Sequence, residues 1–170
     1  LILLTWSVFF PVLKAGFVDY DDPAYVTDVP RVREGLSLSN TRWAFTHTFA
    51  HYIPLDTLSH MADCHFFGLN PRGHHATSLL LHSVNVVLLF LVLHRANGGY
   101  GTCFLAASLL AIHPIVTEPV AWLSSRKDVL STFLGLLSLL LYVTYTFRPA
   151  IWRYLLLNLF YVMALLAKPM

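Results

Sequence analysis

Charged side chains are scarce in this chain. They make up 12% of its 170 residues, where soluble domains carry about 25%. With 56% hydrophobic residues and a mean hydropathy of +0.62, an ordinary soluble domain is excluded and a lipid environment is indicated. Net charge is only +2, and there is neither a basic tract nor a stripe of alternating aromatic and basic residues. That argues against a nucleic-acid partner. Cys64 and Cys103 are isolated from each other and lack metal-type spacing, so neither a disulfide nor a thiolate metal site can be argued. Internal repeats and low-complexity tracts are also missing. There is no initiator Met, and nothing follows Pro169-Met170. The first apolar run, Leu1–Leu13, is shorter than the roughly 20 residues of a full span. The expectation is an internal piece of a longer protein, cut inside its first helix. A signal peptide is disfavoured, because the run ends in Phe10-Pro-Val-Leu-Lys14 with no small-residue cleavage site.

What is present is a series of apolar runs. His74–His94 is mostly Leu, Val and Phe inside. Thr102–Ile112 runs into His113-Pro114 and reaches span length only as a kinked helix continuing to Trp122. Val129–Phe147 and Ala150–Ala167 contain no charge. With truncated residues 1–13, spans are expected at about 74–94, 102–122, 129–147 and 150–167, in an all-α polytopic transmembrane bundle. If the connectors alternate sides, one side holds Arg95, Arg148 and Arg153 and no acid. The other holds all nine carboxylates. The basic connectors are short, so the positive-inside rule makes them cytoplasmic. The long loop, residues 14–73, then faces outward.

That loop carries Trp43, Phe45, Phe49, Tyr52, Phe66 and Phe67, too many aromatics for a disordered linker. Within it, Leu55, Leu58, Met61, Ala62 and Phe66 recur at helical spacing, predicting a helix over Pro54–Phe67 that stops at Gly68. Its other face carries Asp56, Ser59, His60, Asp63 and Cys64. This amphipathic pattern suggests an interfacial helix lying in the membrane plane. A small subdomain packed over the bundle is the alternative.

Four polar groups fall on the outer side. The first is Asp21-Asp22, in Phe17-Val-Asp-Tyr-Asp-Asp-Pro-Ala-Tyr25. Adjacent side chains point apart, so one can act while the other caps a helix. Asp22-Pro23 fits an N-cap followed by proline at the first helical position. The second is His113-Pro-Ile-Val-Thr-Glu118, where Glu118 is the one carboxylate of the apolar half before Asp128. A lone Glu there reads as functional by default, and His113 can orient it, take a proton or simply sit at the kink. The third is Ser124-Ser-Arg-Lys-Asp128. Ser125 and Asp128 fit a capping box, which leaves Arg126 and Lys127 unexplained, since cations oppose the dipole at a helix N-terminus. A bound phosphate would justify them, and anionic lipid headgroups are the competing reading. The fourth is Lys168, which by itself reads as a snorkelling lysine.

Nine histidines include the pair His74-His75 and the four-apart His47 and His51. Thr46-His-Thr-Phe-Ala-His51 lacks the Glu of a metalloprotease helix, so zinc chemistry is disfavoured and no metal ligand is assigned. Asp, Glu and His serve either a cation or a proton, so a divalent cation stays open as a cofactor. A phosphate site beside a carboxylate at the outer leaflet is what a lipid-phosphate sugar donor requires. A base takes the acceptor's proton, and cations stabilise the departing phosphate.

The first of these runs, His113-Pro-Ile-Val-Thr-Glu-Pro-Val-Ala-Trp122, Arg126-Lys-Asp-Val-Leu-Ser131 and Ala167-Lys-Pro-Met170 together resemble polytopic GT-C glycosyltransferases. In particular they resemble the transmembrane and tetratricopeptide-repeat O-mannosyltransferase-like proteins and their bacterial relatives, over about Phe17 to Met170. The resemblance implies inverting transfer of a sugar, mannose among the candidates, from a polyprenyl-phosphate donor to a hydroxyl on a protein or glycan acceptor. It implies a base at Asp21 or Asp22, with Asp22 favoured by its place before proline, and Glu118 as the second acidic residue. Arg126, Lys127, Lys168 and His113 become the donor-binding candidates. It further implies a C-terminal repeat domain, and an active site facing the periplasm or, in a eukaryote, the endoplasmic reticulum lumen. A transporter would want polar residues deep within spans, and a mere anchor would not need the clustered charges.

Overall fold

The computed structural model describes residues 1–48 and 51–169. Phe49 of the aromatic set and Met170 of the last motif lie outside the described residues. Among those described, the chain is helical without a β-strand. Helix α1 (Ile2–Phe9) passes into a 3-10 turn, Phe10–Lys14, at Pro11. A π-helical turn at Pro23–Thr27 follows, then the short α2 (Pro30–Arg33), α3 (Leu38–Thr46) and α4 (Pro54–Phe67). The long α5 (Pro71–Arg95) leads to α6 (Tyr100–Ile112), and the turn Pro114–Val116 leads to α7 (Thr117–Ala121). A further turn, Leu123–Ser125, opens α8 (Arg126–Phe147), and α9 (Ile151–Ala167) follows it.

Local chemistry explains several boundaries. Asn70 caps α5 by accepting the Arg72 N–H at 3.2 Å, with Pro71 at the first helical position. His94 and Arg95 sit in its last turn, where cations complement the dipole. Ser37 Oγ caps α3 through the Asn40 N–H at 3.0 Å. Gly68, at φ +60°, ends α4 in a conformation that only glycine adopts freely.

Helix α8 packs between α5 and α9, and α6 and α1 lie against α5. Small residues make the close approaches: Ala164 and Ala167 against Leu134, and Ala107 and Ala111 against Val86. Polar ties reinforce them. Asn85 Nδ2 donates to the Val129 carbonyl at 2.9 Å, and Ser138 Oγ to the Leu157 carbonyl at 2.8 Å. Leu105, Leu109, Leu155 and Val162 point outward, each at least half exposed, and form an apolar coat that suits lipid.

By length and composition, Pro71–Arg95 and Leu123–Phe147 are able to cross a membrane. Tyr100–Ile112 with Pro114–Ala121 makes a third only as a pair bent by 49°. Ile2–Lys14 and Ile151–Ala167 are apolar but shorter, so two or three helices reach spanning length where the sequence suggested five. The chain is an all-α membrane protein. Arg95, Arg148 and Arg153 meet around one cavity of about 350 Å³, so the three residues grouped by charge also lie together.

The long loop has its own small core of Val26, Val32, Ala44, Met61 and Cys64, with Tyr25, Trp43 and Leu58 packed on it. Helix α4 docks that core onto the bundle. Both faces of α4 are covered, where the sequence suggested a wet polar face: Met61 is in the loop's core and Leu58 packs on it. Asp56, His60 and Asp63 are buried, whereas Phe66 is 73% exposed. The inward turn is possible because a cation waits inside.

Asn85→Ala should lower unfolding stability in detergent or bicelles by about 1 kcal/mol, the usual worth of a hydrogen bond between membrane helices. An unchanged denaturation midpoint would mean that the bond to Val129 holds nothing together.

Candidate active site

Arg126 opens α8 and points inward, with no exposed surface. Its guanidinium donates from Nε to Ser78 Oγ at 3.1 Å, from Nη1 to Ser59 Oγ at 3.3 Å and from Nη2 to the His74 carbonyl at 2.6 Å. Nη1 also pairs with Asp63 Oδ2. Thr77 Oγ1 donates to the other oxygen, Asp63 Oδ1, at 2.7 Å. Every face of this cation is occupied by protein. It therefore ties α8 to α4 and α5, and it is not turned toward a donor phosphate as its place in the sequence suggested. The expectation failed because Asp63 and the α5 backbone supply the anionic partner that an external phosphate was invoked to provide.

Asp22 is also fully buried. Its Oδ2 accepts the Val18 N–H at 2.8 Å and its Oδ1 the Ser124 N–H at 3.0 Å. It makes no side-chain cap on the Pro23 turn. Instead it bridges the loop of residues 14–73 to the turn before α8, where unpaired amides favour an anion. Asp21 is half-buried, and among the described residues its carboxylate has no hydrogen bond or ion pair. The division of labour is thus the reverse of the sequence preference: Asp22 is spent on backbone amides and Asp21 is free. Burial, with the Asp21 charge next, raises the nearby Tyr25 hydroxyl above its usual value.

Lys127 lies over that same Tyr25 ring, 4.8 Å from its centroid, and donates to the Ser124 carbonyl at 3.0 Å. Lys168 pairs with Asp128. Lys127, Lys168, His51, Ile53 and Pro169 line one cavity of about 110 Å³. Two of the cations flagged by sequence, from separate motifs, are therefore brought together, and Arg126 is not among them. Glu118 is exposed, with Ser125 Oγ 3.5 Å from its Oε1. Ser125 makes no capping hydrogen bond, so the capping box with Asp128 does not form. His113 is exposed, and its Nδ1 accepts the Ile115 N–H at 3.1 Å, which makes it the cap of its own kink.

Beside the Arg126 pair lies a buried group that sequence reasoning left unassigned. His60, Asp63 and His74 approach one another closely. Burial pushes the Asp56 carboxyl up to about 7, against the pull of Arg126 and Lys127. Burial likewise holds the His60 imidazole well below its usual value, with the Arg126 charge adding to the effect. The signal was legible in part: Asp56, His60 and Asp63 recur at spacings of four and three, one stripe of a helix. Helix α5 adds a buried polar stripe of His74, His75, Ser78, His82, Ser83 and Asn85. Ser78 and Asn85 bond across to Arg126 and the Val129 carbonyl of α8 and so fasten helices, whereas Ser83 bonds back to the Leu79 carbonyl of its own helix.

Arg126→Met alone should cost about 3–5 kcal/mol, because it strands a buried carboxylate. The double change Arg126→Met with Asp63→Leu should recover most of that loss. Chemical denaturation of the purified protein reads both. A stable single variant would place the guanidinium elsewhere.

No family model matches the chain, and no solved structure gives a significant match. Among curated proteins, it is 36% identical over 143 residues to protein O-mannosyl-transferase TMTC1 of Mus musculus, covering 76% of this chain and 15% of that protein. It is 41% identical over 146 residues to protein O-mannosyl-transferase TMTC2 of Mus musculus, covering 81% of this chain and 17% of that protein. Homo sapiens TMTC2 gives 40% identity over 146 residues, with the same two shares. The chain spans about one sixth of the length of these relatives. Over the stretch that it spans, the chain is by sequence a relative of the TMTC protein O-mannosyl-transferases.

Proposed function

We propose that this chain is the donor-binding and base-bearing part of a multi-pass membrane glycosyltransferase. It moves a sugar, mannose by analogy with the names of its relatives, from a polyprenyl-phosphate carrier to a hydroxyl on protein. The observation that supports this reading is an unengaged carboxylate, Asp21, and the Lys127 ammonium on either side of Tyr25, with Lys168 in the cavity that Lys127 lines.

In this reaction Asp21 accepts the acceptor hydroxyl's proton as that oxygen bonds to the anomeric carbon. The bond from that carbon to the carrier phosphate breaks on the opposite face, which gives inversion. The phosphate leaves with the electron pair, and Lys127 and Lys168 neutralise it. Asp22 does not touch the reacting atoms. It fixes the backbone of the loop that presents Asp21 by bonding two amides. Glu118, exposed near Ser125, is kept as the second acidic residue of the site. Arg126 has a structural part only. Charge segregation supports an active face away from Arg95, Arg148 and Arg153, hence a periplasmic or lumenal face.

Sugar transfer from a polyprenyl-phosphate donor by the full-length protein tests this. Asp21→Asn should lower kcat by about 10²–10⁴, the usual contribution of a general base. Lys127→Ala should weaken donor binding with a smaller effect on kcat. Full activity in the Asp21→Asn, Asp22→Asn double variant would remove the carboxylates from the mechanism.

A further inference from the structure

Three buried side chains from two helices converge beside the Arg126 pair. His60 and Asp63 lie one turn apart on α4, and His74 is in the first turn of α5. One ligating atom from each falls within 4.8 Å of the others. None of the three is more than 4% exposed.

Their hydrogen bonding is incomplete in an informative way. His74 Nε2 lies 3.0 Å from the Gly68 carbonyl, which can only accept, so this nitrogen carries the proton. A neutral ring then has a lone pair on Nδ1, and Nδ1 faces Asp63 Oδ2 at 3.6 Å. Two lone pairs confront each other across that gap. His74 Nδ1 has no hydrogen-bond partner, and the His60 ring, which faces the Leu123 backbone, makes no well-formed hydrogen bond. Buried polar groups in native proteins are rarely left this way.

Asp63 is the buried carboxylate that faces both Arg126 and His74. Asp63 Oδ2 can serve both Arg126 and an ion, since a carboxylate oxygen accepts at two positions.

We propose that His60, Asp63 and His74 form a structural site for a divalent metal ion of the zinc type. Two imidazoles and one carboxylate are a nitrogen-rich, borderline donor set, which suits zinc and its first-row neighbours over magnesium or calcium. A supporting group stands behind His74, as metal-bound imidazoles favour. The Gly68 carbonyl holds His74, and Asp56 Oδ2 lies 3.7 Å from His60 Nε2. Cys64 Sγ is on the Nε2 edge of His74, at 4.0 Å, so it stays outside the donor set. The ion would cross-link α4 to α5 and, through the shared Asp63 oxygen, to α8. Its role does not depend on the glycosyl-transfer reading, because it touches neither Asp21 nor the lysine cavity.

The test uses the full-length protein in detergent, stripped with a chelator and then given Zn²⁺ or Co²⁺ alone. The wild type should retain about one ion per chain after desalting. Co²⁺ should show visible bands of a low-coordinate nitrogen and oxygen site without thiolate charge transfer. His60→Ala combined with His74→Ala should reduce retention roughly tenfold or more, the scale of losing ligands from such a site. Failure of the wild type to retain metal, or undiminished retention by the double variant, would overturn the site. Should the double variant not fold, zinc-edge X-ray absorption on the wild type decides. A shell containing two imidazoles supports the assignment, and a sulfur-containing or all-oxygen shell overturns it. No step of this test reads sugar transfer.

Discussion

The pairing of Arg126 with Asp63 is the constraint on which the rest of this molecule depends. Both groups are essentially inaccessible to solvent. Stripping water from two charges is costly, and their attraction offsets that cost only when the remaining donors and acceptors are also satisfied. Here Ser59, Ser78 and the His74 carbonyl complete the guanidinium, and Thr77 completes the carboxylate. The partners come from α4, α5 and α8, so one cation fixes the relative positions of three elements. It also dictates the orientation of α4. With its charged stripe held inward, the helix has its aromatic end, Phe66 and Phe67, left facing out.

A second constraint acts on the long loop. Asp22 joins the Val18 amide to the Ser124 amide, two points far apart in sequence. The loop carrying Asp21 and the turn that leads into α8 and Lys127 are thereby held by one carboxylate. Tyr25 lies between them, under the Lys127 ammonium. Adjacent acids of the same type thus take opposite parts, set by which one meets the exposed amides before α8. The buried acid organises backbone, and the other carries no such bond.

Much of this was legible in the sequence. The apolar runs gave the helices, because an unbroken stretch of Leu, Val and Phe has few alternatives in lipid. Pro54 and Gly68 bounded α4 at the positions where the helix starts and stops. That the polar face of α4 is also covered could not be read, since amphipathicity states that two faces differ and not that one finds a buried cation. The same ignorance misassigned Arg126. A basic residue at the start of a helix looks unpaired until the fold brings Asp63 to it. Asp22 was misjudged for a related reason: its proline neighbour suggested a local cap, whereas the amide it binds is 102 residues away. Local rules fail where long-range partners compete for the same group. Lys127 and Lys168 stood out in separate motifs, and the fold brings them to one cavity.

The inward charged stripe of α4 has a consequence for synthesis. The chain is made from its N-terminus, so Ser59 and Asp63 leave the ribosome before Arg126, which lies 67 residues beyond Ser59. Until α8 emerges, Asp63 lacks its Arg126 partner, although the residues of the loop's own core have all been made. Docking of α4 onto the bundle therefore waits on a later helix. The ion pair acts in this way as a timer on biogenesis as well as a fastening of the finished bundle.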